Sequence, residues 1–322
     1  MGTEYKQGLV SVIMPVYNTA SLVGSAIESV LNQSYDHFEL LIVDDGSKDR
    51  SLEVCNAYAQ KDKRVIVMHQ ENAGQSVARN RALSVATGQY VGFLDSDDAF
   101  ENDMLEKMVN KMLSEQADIV MSDAATHNVR ADSDREEFLG TILRDEIGGQ
   151  VWRFLFKRSL WEGISFPEGR YAEDAMIIHK LIARAVRVGF VEERLYAYNC
   201  YNPSSSSNLQ QKRFKNTIDR AVMFIERASW MKQMEITDVC TVRTVQKKAV
   251  EFSIGAFGFP KQAGYKQDYK CLSKYIRTQF KSILRNNKIS KARKIAVIIL
   301  YISPGFYRAV FGKLLRKLKA RH

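Results

Sequence analysis

The sequence predicts an α/β fold with a Rossmann-like, mostly parallel central sheet, flanking helices, and a basic helical appendage at the C-terminus. Two observations predict the sheet: short apolar segments alternate with helical patterns over roughly the first 100 residues, and polar or acidic residues follow several of these segments. Such alternation is typical of parallel sheets that helices cover on both faces. A third observation predicts the appendage, because no acidic residue follows Asp268 in the 322-residue chain.

The predicted strands and helices follow one another in order. Strands are predicted where apolar residues run between polar ones, at 9–16, 38–43, 64–69 and 89–94. Helical patterns separate them, ending at Leu31 and spanning 51–60 and 75–86. Further helices are predicted at 151–161, 174–185 and 210–255, whereas 123–150 has mixed polarity and is predicted to be rich in loops. The site of such a sheet lies beyond the carboxyl ends of its strands.

Acidic residues are densest directly after the predicted strand 89–94, where Asp95, Asp97 and Asp98 fall within four residues. If the segment is extended, alternation places Asp95 and Asp97 on the same side, and their oxygens converge. Oxygen-only ligands suit Mg²⁺ or Mn²⁺, which keep other positions for phosphate oxygens. The alternative is a solvated acidic turn before a helix that starts near Glu101.

Several other classes of protein lack their signals in this sequence. Neither G-x-G-x-x-G nor G-x-x-x-x-G-K-[ST] occurs, which disfavours Rossmann dinucleotide and P-loop proteins. The five histidines have no metal-ligand spacing, and the four cysteines include no C-x-x-C pair, which disfavours zinc and a disulfide framework and favours a reducing compartment. The first apolar segment lacks a basic flank and is interrupted by Pro15, so no signal peptide is predicted.

Five motifs occur in a fixed order: VSVIMPVYN from Val10, LLIVDDGSKD from Leu40, ENAGQSVARNRAL from Glu71, GQYVGFLDSDD from Gly88 and YAEDAMI from Tyr171. In these motifs the chain resembles the family-2 nucleotide-sugar glycosyltransferases of GT-A fold. The resemblance covers roughly the first 200 residues and fades beyond about Asn208. It implies an enzyme that moves a sugar from a nucleotide-sugar donor to an acceptor.

The resemblance implies which residues bind the donor. Pro15, Tyr17 and Asp45 would hold the base and ribose. A carboxylate accepts from the N3–H of uracil, and a tyrosine ring offers a flat surface. Arg79 would lie near the base or the diphosphate, where its planar guanidinium suits bidentate contacts. Taken alone, the DDGS segment is equally well explained as a strand-to-helix turn with Ser47 as the N-cap.

The resemblance also implies a metal site and a catalytic base. Asp97 would bind Mn²⁺ or Mg²⁺ directly, and Asp95 would support the sugar, the ribose or a metal-bound water. Asp174 would deprotonate the acceptor hydroxyl, with Glu173 as its partner, for an in-line attack that inverts the anomeric carbon. Without the resemblance, two acidic residues at a helix start are equally a response to the helix dipole.

Three regions are predicted along the chain: a GT-A domain at 1–208, a helical extension at 209–268 and a basic amphipathic segment at 269–322. Within 123–150 lies the predicted loop-rich side of the acceptor site, and Trp152 either stacks on a sugar or fills the core. Tyr196, Tyr198 and the serines at 204–207 resemble a closing segment over the donor diphosphate, although a flexible linker has the same composition.

Positive charge is concentrated in the segment 269–322. Its 54 residues hold 15 of the 47 Lys and Arg, whereas the first 268 residues have 32 Lys and Arg against 37 Asp and Glu, a net charge of −5. Apolar residues recur at helical spacing in two stripes: Leu272, Tyr275, Ile276, Phe280, Ile283 and Leu284; and Phe306, Tyr307, Val310, Phe311, Leu314, Leu315 and Leu318. This pattern predicts helices on an anionic membrane surface. Packing on the catalytic domain or on another subunit remains the alternative, and no recognition motif supports nucleic-acid binding.

The sequence therefore predicts a metal-dependent, inverting glycosyltransferase that is peripheral on the cytoplasmic face of the cell membrane. The donor is predicted to be a UDP-sugar, and the acceptor a lipid-linked or polymeric glycan in surface polysaccharide synthesis. An oligomer is compatible with the sequence. The alternatives are a catalytically silent GT-A scaffold or sugar-binding subunit, which has no reason to keep mutually repelling carboxylates, and a nucleotidyltransferase, which would need a Gly-rich basic loop after the first strand.

Overall fold

The structure is a computed structural model that describes residues 5–127, 129–130, 132–199, 212–259 and 263–309. The chain forms two compact units, Met1–Ser204 and Ser205–His322. The serines at 204–207, which were predicted to close over the donor or to form a linker, lie outside the described residues.

A seven-stranded sheet forms the centre of the first unit, within the part of the chain that is described. Its strands are β1 (Lys6–Val16), β2 (Phe38–Asp45), β3 (Val65–Gln70), β4 (Gly88–Phe93), β6 (Ile119–Met121), β7 (Phe154–Lys157) and β8 (Val188–Phe190). A small separate sheet pairs β5 (Ala99–Phe100) with β9 (Tyr196–Ala197) in antiparallel fashion. The predicted α/β class with a mostly parallel sheet is confirmed.

The strand order of the large sheet is β3-β2-β1-β4-β7-β6-β8. β1 pairs in parallel with β2 on one side and with β4 on the other, and β2 pairs in parallel with β3. The chain thus moves outward from β1 to β3 and then returns to the far side of β1. Ligands bind at such a reversal of strand order, beyond the carboxyl ends of the strands.

Helices cover the sheet because the strands carry apolar residues on both faces; all eight residues of β2, for example, are buried. The helices of this unit are α1 (Val23–Leu31), α2 (Ser51–Lys61), α3 (Gln75–Val85), α4 (Met104–Ser114), α5 (Arg135–Leu143) and α6 (Glu173–Arg184). On one face, α1 and α4 bury apolar side chains in a core that includes Val12 and Met14 of β1.

One prediction for the middle of the chain is wrong and another holds in part. The predicted helix at 151–161 consists of two 3₁₀ turns around strand β7. Phe156 pairs in antiparallel register with Val91 of β4 and with Ile119 of β6, so the segment completes the sheet between two strands far away in the sequence. The region 123–150 has loops and turns as predicted, but it also contains helix α5, whose side chains Phe138 and Ile142 are buried.

The second unit is helical in its described part. It contains α7 (Lys212–Gln233), α8 (Val239–Phe257), α9 (Lys266–Thr278), α10 (Phe280–Arg285) and α11 (Lys291–Ile302). α7 packs against α8, α9 contacts both of them, and α11 contacts α8 and α9.

The membrane prediction for 269–322 is wrong for one of its two apolar stripes. Leu272, Tyr275, Ile276 and Ile283 are buried against the other helices of the second unit, because α9 needs that face to pack on α7 and α8. In the second stripe Tyr307 is buried and Phe306 is 59% exposed, whereas Val310, Phe311, Leu314, Leu315 and Leu318 lie outside the described residues. None of the described helices is long and apolar enough to cross a bilayer.

Candidate active site

The candidate active site lies where the carboxyl ends of β1, β2 and β4 meet at one edge of the sheet. Parallel pairing of these strands brings Tyr17, Asp45 and Asp95, which lie at the strand ends or within two residues of them, to the same edge. Helix α3 begins at this edge after the loop that follows β3. The sequence motifs therefore meet in one place, as expected for an open parallel sheet.

The turn after β1 is tied to the turn after β2 by side-chain hydrogen bonds. The amide of Asn18, which has a left-handed φ of +52°, donates to Ser47 Oγ at 3.0 Å, and Asn18 Oδ1 accepts from the amide of Lys48 at 2.7 Å. Pro15 is buried within β1, whereas Tyr17 is 46% exposed. The ring of Tyr17 thus offers an open aromatic surface, which suits the predicted stacking on a base.

Asp45 organises the loop before α3. Its Oδ1 accepts from Gln70 Nε2 at 2.8 Å and from the amide of Ala73 at 2.9 Å, and its Oδ2 accepts from the amide of Gly74 at 2.8 Å. The residue is only 3% exposed. A carboxylate accepts about four hydrogen bonds, so capacity remains for a ligand donor. The predicted contact of Asp45 with the base stays a prediction.

The centre of the site is a buried arginine with three carboxylates. Arg79 of α3 is 1% exposed; its Nη1 donates to Glu173 Oε1 at 2.9 Å and to Asp174 Oδ1 at 2.8 Å, and its Nη2 donates to Asp95 Oδ1 at 2.8 Å. The three acceptors come from two elements that lie 16 to 95 residues from Arg79. A planar guanidinium fits this arrangement because its donors point in fixed directions.

Arg79 contacts the protein in this structure, and its predicted contact with the donor stays a prediction. Its side chain is 2% exposed, and its hydrogen bonds go to protein carboxylates. The guanidinium carbon Cζ lies 5.3 Å from the centre of the Phe166 ring. Arg79 therefore positions Asp95, Glu173 and Asp174. Sequence reasoning missed this role because the ARN segment carries no signal for burial.

One positive charge among three carboxylates leaves the cluster with an excess of negative charge. Burial lowers the pKa of Arg79, but the carboxylates of Asp174, Asp95 and Glu173 outweigh that effect and raise it, so the guanidinium stays charged. Burial raises the pKa of Asp174 to about 7, assisted by the charges of Glu173 and Asp95 and opposed by Arg79. A carboxylate with a pKa near neutrality is suited to accept a proton from a hydroxyl group.

Helix α6 presents Glu173 and Asp174 from its first turn. Ala172, the residue before the helix, has left-handed backbone angles with φ +60°, which is uncommon for a residue other than glycine. Asp174 Oδ2 also accepts from the amide of Val151 at 3.2 Å, and its side chain remains 14% exposed. The predicted pair thus lies at the site edge, with Asp174 held on both oxygens and still reachable.

Residues 95–98 form a turn, not the extended segment that was predicted. The amide of Asp98 donates to the carbonyl of Asp95 at 3.0 Å, because the chain reverses between β4 and β5. Asp95 and Asp97 are nevertheless both partly exposed, whereas Ser96 and Asp98 are buried. The turn, and not strand alternation, therefore leaves these two carboxylates partly exposed.

Tyr196 of β9 fixes this turn; the sequence predicted it in a segment that closes over the donor, but not as a residue that holds Asp95 and Asp98. It is 1% exposed; its hydroxyl donates to Asp98 Oδ2 at 2.7 Å and accepts from the amide of Asp95 at 3.1 Å. Burial raises the pKa of Asp98 to about 7, against the hydrogen bonds from the Asn199 amide and Tyr196 that lower it. β9 is only two residues long, too short to give a strand signal in the sequence.

Trp152 belongs to an aromatic stack at this edge. Its ring stacks on Tyr196, with centres 4.2 Å apart and an interplanar angle of 22°, and on Tyr198 at 6.2 Å. Tyr198 is 42% exposed at the outer end of the stack. Trp152 thus packs within the protein, and Tyr198 supplies the exposed aromatic surface.

The carboxylates of Asp95 and Asp97 suit a divalent cation that takes most of its other ligands from water or substrate. Within the described ranges, no three His, Cys, Asp or Glu residues are arranged to enclose a metal ion. Asp95, with a side chain 25% exposed, and Asp97 are the two partly exposed carboxylates of the turn. Mg²⁺ and Mn²⁺ sites on phosphate substrates commonly use one or two carboxylates, with water and phosphate oxygens completing the shell.

Comparison with known proteins agrees with this geometry. The model of glycosyl transferase family 2 matches residues 11–167. Glycosyltransferase GlyG of Streptococcus pneumoniae serotype 4 is 32% identical over 213 residues, which cover 59% of this chain and 70% of GlyG. The putative teichuronic acid biosynthesis glycosyltransferase TuaG of Bacillus subtilis is 46% identical over 106 residues, 33% of this chain and 42% of TuaG.

A solved structure has the same fold. The crystal structure of S. aureus TarS 1-349 in complex with UDP-GlcNAc covers 96% of this chain and 91% of its own, with a TM-score of 0.66 and 17% sequence identity. At that identity the likeness establishes the GT-A-like fold alone. Together with the relationship to GlyG and the motifs assembled at the sheet edge, it leads to one conclusion: this chain belongs to glycosyl transferase family 2 and is a glycosyltransferase.

Proposed function

We propose that this protein transfers a sugar from a UDP-sugar to a lipid-linked or polymeric glycan acceptor, with inversion at the anomeric carbon, in surface polysaccharide synthesis. One observation carries the proposal: Asp95, Glu173 and Asp174 converge on the buried Arg79 at the carboxyl edge of the sheet. A scaffold without activity has no need of three carboxylates around one guanidinium, because their repulsion opposes folding.

The choice of donor rests on the turns after β1 and β2 and on the relatives. Tyr17 offers an exposed ring and Asp45 a carboxylate with remaining acceptor capacity, the two features that a uracil base uses. TarS was crystallised with UDP-GlcNAc, and the name of TuaG places that relative in teichuronic acid synthesis. These names support a UDP-sugar donor and a surface polysaccharide product for this chain.

Asp174 serves as the general base. The acceptor hydroxyl transfers its proton to a carboxylate oxygen of Asp174 as its oxygen forms a bond with the anomeric carbon. The bond from that carbon to the diphosphate breaks on the opposite side, so the configuration inverts. Arg79 and the Val151 amide orient Asp174, and Glu173 raises its proton affinity from the neighbouring position.

Asp97 and Asp95 would hold Mn²⁺ or Mg²⁺ with the donor diphosphate. When bound, such an ion neutralises the charge that develops on the departing nucleoside diphosphate. The turn that carries these carboxylates is held by Tyr196 and by the Asp98 amide, so their positions do not depend on the ion alone.

Peripheral attachment to the cytoplasmic face of the membrane is part of the proposal and rests on the second unit. Acidic residues are absent after Asp268, and α11 exposes Ile295, Ile298 and Ile302, which are 56%, 38% and 75% exposed. Apolar side chains beside basic residues are typical of helices on an anionic surface.

The test is incubation with a panel of UDP- and GDP-sugars and lipid-linked or glycan acceptors, with Mn²⁺, with Mg²⁺ and with a chelator. We expect metal-dependent release of UDP and a product whose anomeric configuration is opposite to that of the donor, by NMR. Asp174→Asn protein is the background control. Nucleotide binding without turnover on any donor would favour the scaffold alternative, and a product that retains configuration would refute the inverting mechanism.

A further inference from the structure

A groove on helix α9 of the second unit is lined by an unusual number of positive charges. We call it the basic groove; its volume is about 590 Å³, and its cations are Lys266, Lys270, Lys274, Arg277 and Arg308. The four on α9 are exposed and follow one another at intervals of four, four and three residues, so they share one helix face. At 1.5 Å per residue this face spans about 16 Å.

No described acidic side chain lines the basic groove beside its cations. None of its five cations has an ion pair among the residues that the structure describes. Ion pairs seen in the second unit include those of Glu251 with Lys247 and Arg293. Residues 310–322 cannot supply the missing charge, since they contain five Lys and Arg and no acid. Mutual repulsion of the five cations therefore favours a bound anion.

The inner wall of the basic groove is apolar. The guanidinium of Arg308 lies over the rings of Tyr269 and Phe257, at 4.7 and 5.3 Å from their centres, and Pro304 also lines the groove. The aromatic faces hold Arg308 in place and leave its outer edge for a ligand. An arginine fixed in this way is suited to a phosphate group.

An apolar cavity of about 580 Å³ borders the basic groove, because Lys274 and Thr278 line both. Its apolar lining comes mainly from α7, α8 and the loop between them: Ile225, Met231, Ile236 and Val245; Lys232 and Glu235 also line it. Cations on one side and aliphatic side chains on the other match an amphiphile with an anionic headgroup. They do not match nucleic acid, which would leave the apolar cavity unused.

We propose that the second unit binds a single anionic phospholipid, with the phosphate in the basic groove and an acyl chain in the adjoining apolar cavity. This site refines the proposed membrane attachment and rests on it. It replaces the membrane role that the sequence assigned to the buried stripe of α9. The headgroup contact comes from the opposite, basic face of the same helix.

The first experiment measures co-sedimentation of the full chain with vesicles of phosphatidylcholine alone or with phosphatidylglycerol. The groove variant is Lys266→Gln, Lys270→Gln and Arg277→Gln; the control, Arg213→Gln, Lys281→Gln and Arg285→Gln, removes the same charge from exposed positions outside both the groove and α11. We expect the groove variant to lose about 10²-fold in affinity for the anionic vesicles. The control should stay within about threefold of the unchanged protein. Equal losses in both variants would overturn the proposal, because they would indicate attachment by overall charge.

The second experiment compares water-soluble ligands by calorimetry: dihexanoyl-phosphatidylglycerol below its micelle concentration, glycerophosphate, inorganic phosphate and a single-stranded oligonucleotide. We expect the lipid to bind at least tenfold more tightly than glycerophosphate, because each buried CH₂ strengthens binding by about fourfold. Ala228→Phe, which fills the apolar cavity at a partly exposed position, should remove that advantage. Equal affinity for lipid and inorganic phosphate, or preference for the oligonucleotide, would overturn the proposal.

Donor hydrolysis separates this inference from the proposed function. The groove variant should hydrolyse nucleotide sugar in solution at the rate of the unchanged protein, because all three changes lie in the second unit. If no protein hydrolyses any donor while the groove variant still loses lipid binding, the proposed function fails and the lipid site stands. If the protein hydrolyses donor while the groove variant keeps its lipid binding, the lipid site fails and the proposed function stands.

Discussion

Replacement of Arg79 by lysine tests how the site is held together. The guanidinium serves Glu173 and Asp174 through Nη1 and Asp95 through Nη2, at 2.8 to 2.9 Å. A lysine ammonium on a flexible stem cannot reach all three carboxylates in fixed directions. At least one charge-assisted hydrogen bond is lost, and each contributes about 1.5–3 kcal/mol, so the free energy of unfolding should fall by roughly 2–5 kcal/mol.

The same change should lower kcat by about 10²-fold, because a catalytic carboxylate displaced by about 1 Å loses that much rate. The assay is UDP release at varied donor and acceptor concentrations, with urea denaturation for stability. Arg81→Lys is the control, since Arg81 is exposed on the same helix and its Nη1 donates to the His69 carbonyl. A raised donor KM with unchanged kcat would refute the positioning role and restore the predicted donor contact of Arg79.

Three further outcomes follow from the site. Asp174→Asn should lower transfer by about 10²- to 10⁴-fold and leave donor binding nearly intact. Because Asp174 has a pKa of about 7 and acts deprotonated, kcat of the unchanged protein should rise with pH through that value, and the variant should lose this rise. Asp97→Asn should weaken metal-dependent donor binding and lower turnover by on the order of 10²-fold; full activity in a chelator would contradict this. Gly46→Ala should destabilise the fold by about 1–3 kcal/mol in thermal denaturation, because Gly46 has φ +72° and an added Cβ would lie 2.7 Å from the Asn72 amide nitrogen. Gly92→Ala is the milder control, because its Cβ would meet only Leu155 Cδ1 at 3.6 Å.

Local patterns predicted the elements that build the sheet edge. Apolar runs and helical spacing located β1 to β4 and the helices between them to within a few residues, because period and turn chemistry act over a few positions. The same patterns failed at 151–161, where apolar and aromatic residues fit a buried strand as well as a helix. Only pairing with β4 and β6 decided between them.

The membrane prediction shows a related limit. Helical spacing identified the apolar stripe of α9 correctly, but spacing does not say what the stripe packs against. Leu272 and Ile276 are buried by α7 and α8, and the basic face of α9 is left outside. A membrane and a neighbouring helix bury the same kind of side chain, so the sequence could not distinguish membrane contact from packing within the protein.

The sequence by itself determined the family and the sheet class, and it predicted the residues of the candidate site, since all of these depend on motifs of a few adjacent residues. Tertiary structure decided how those residues are used. Arg79 became a buried partner of three carboxylates, and Tyr196 came to hold the turn at Asp95–Asp98, through contacts across 16 to 101 residues. Burial and partners at such separations depend on how strands and helices assemble, and no local pattern records them.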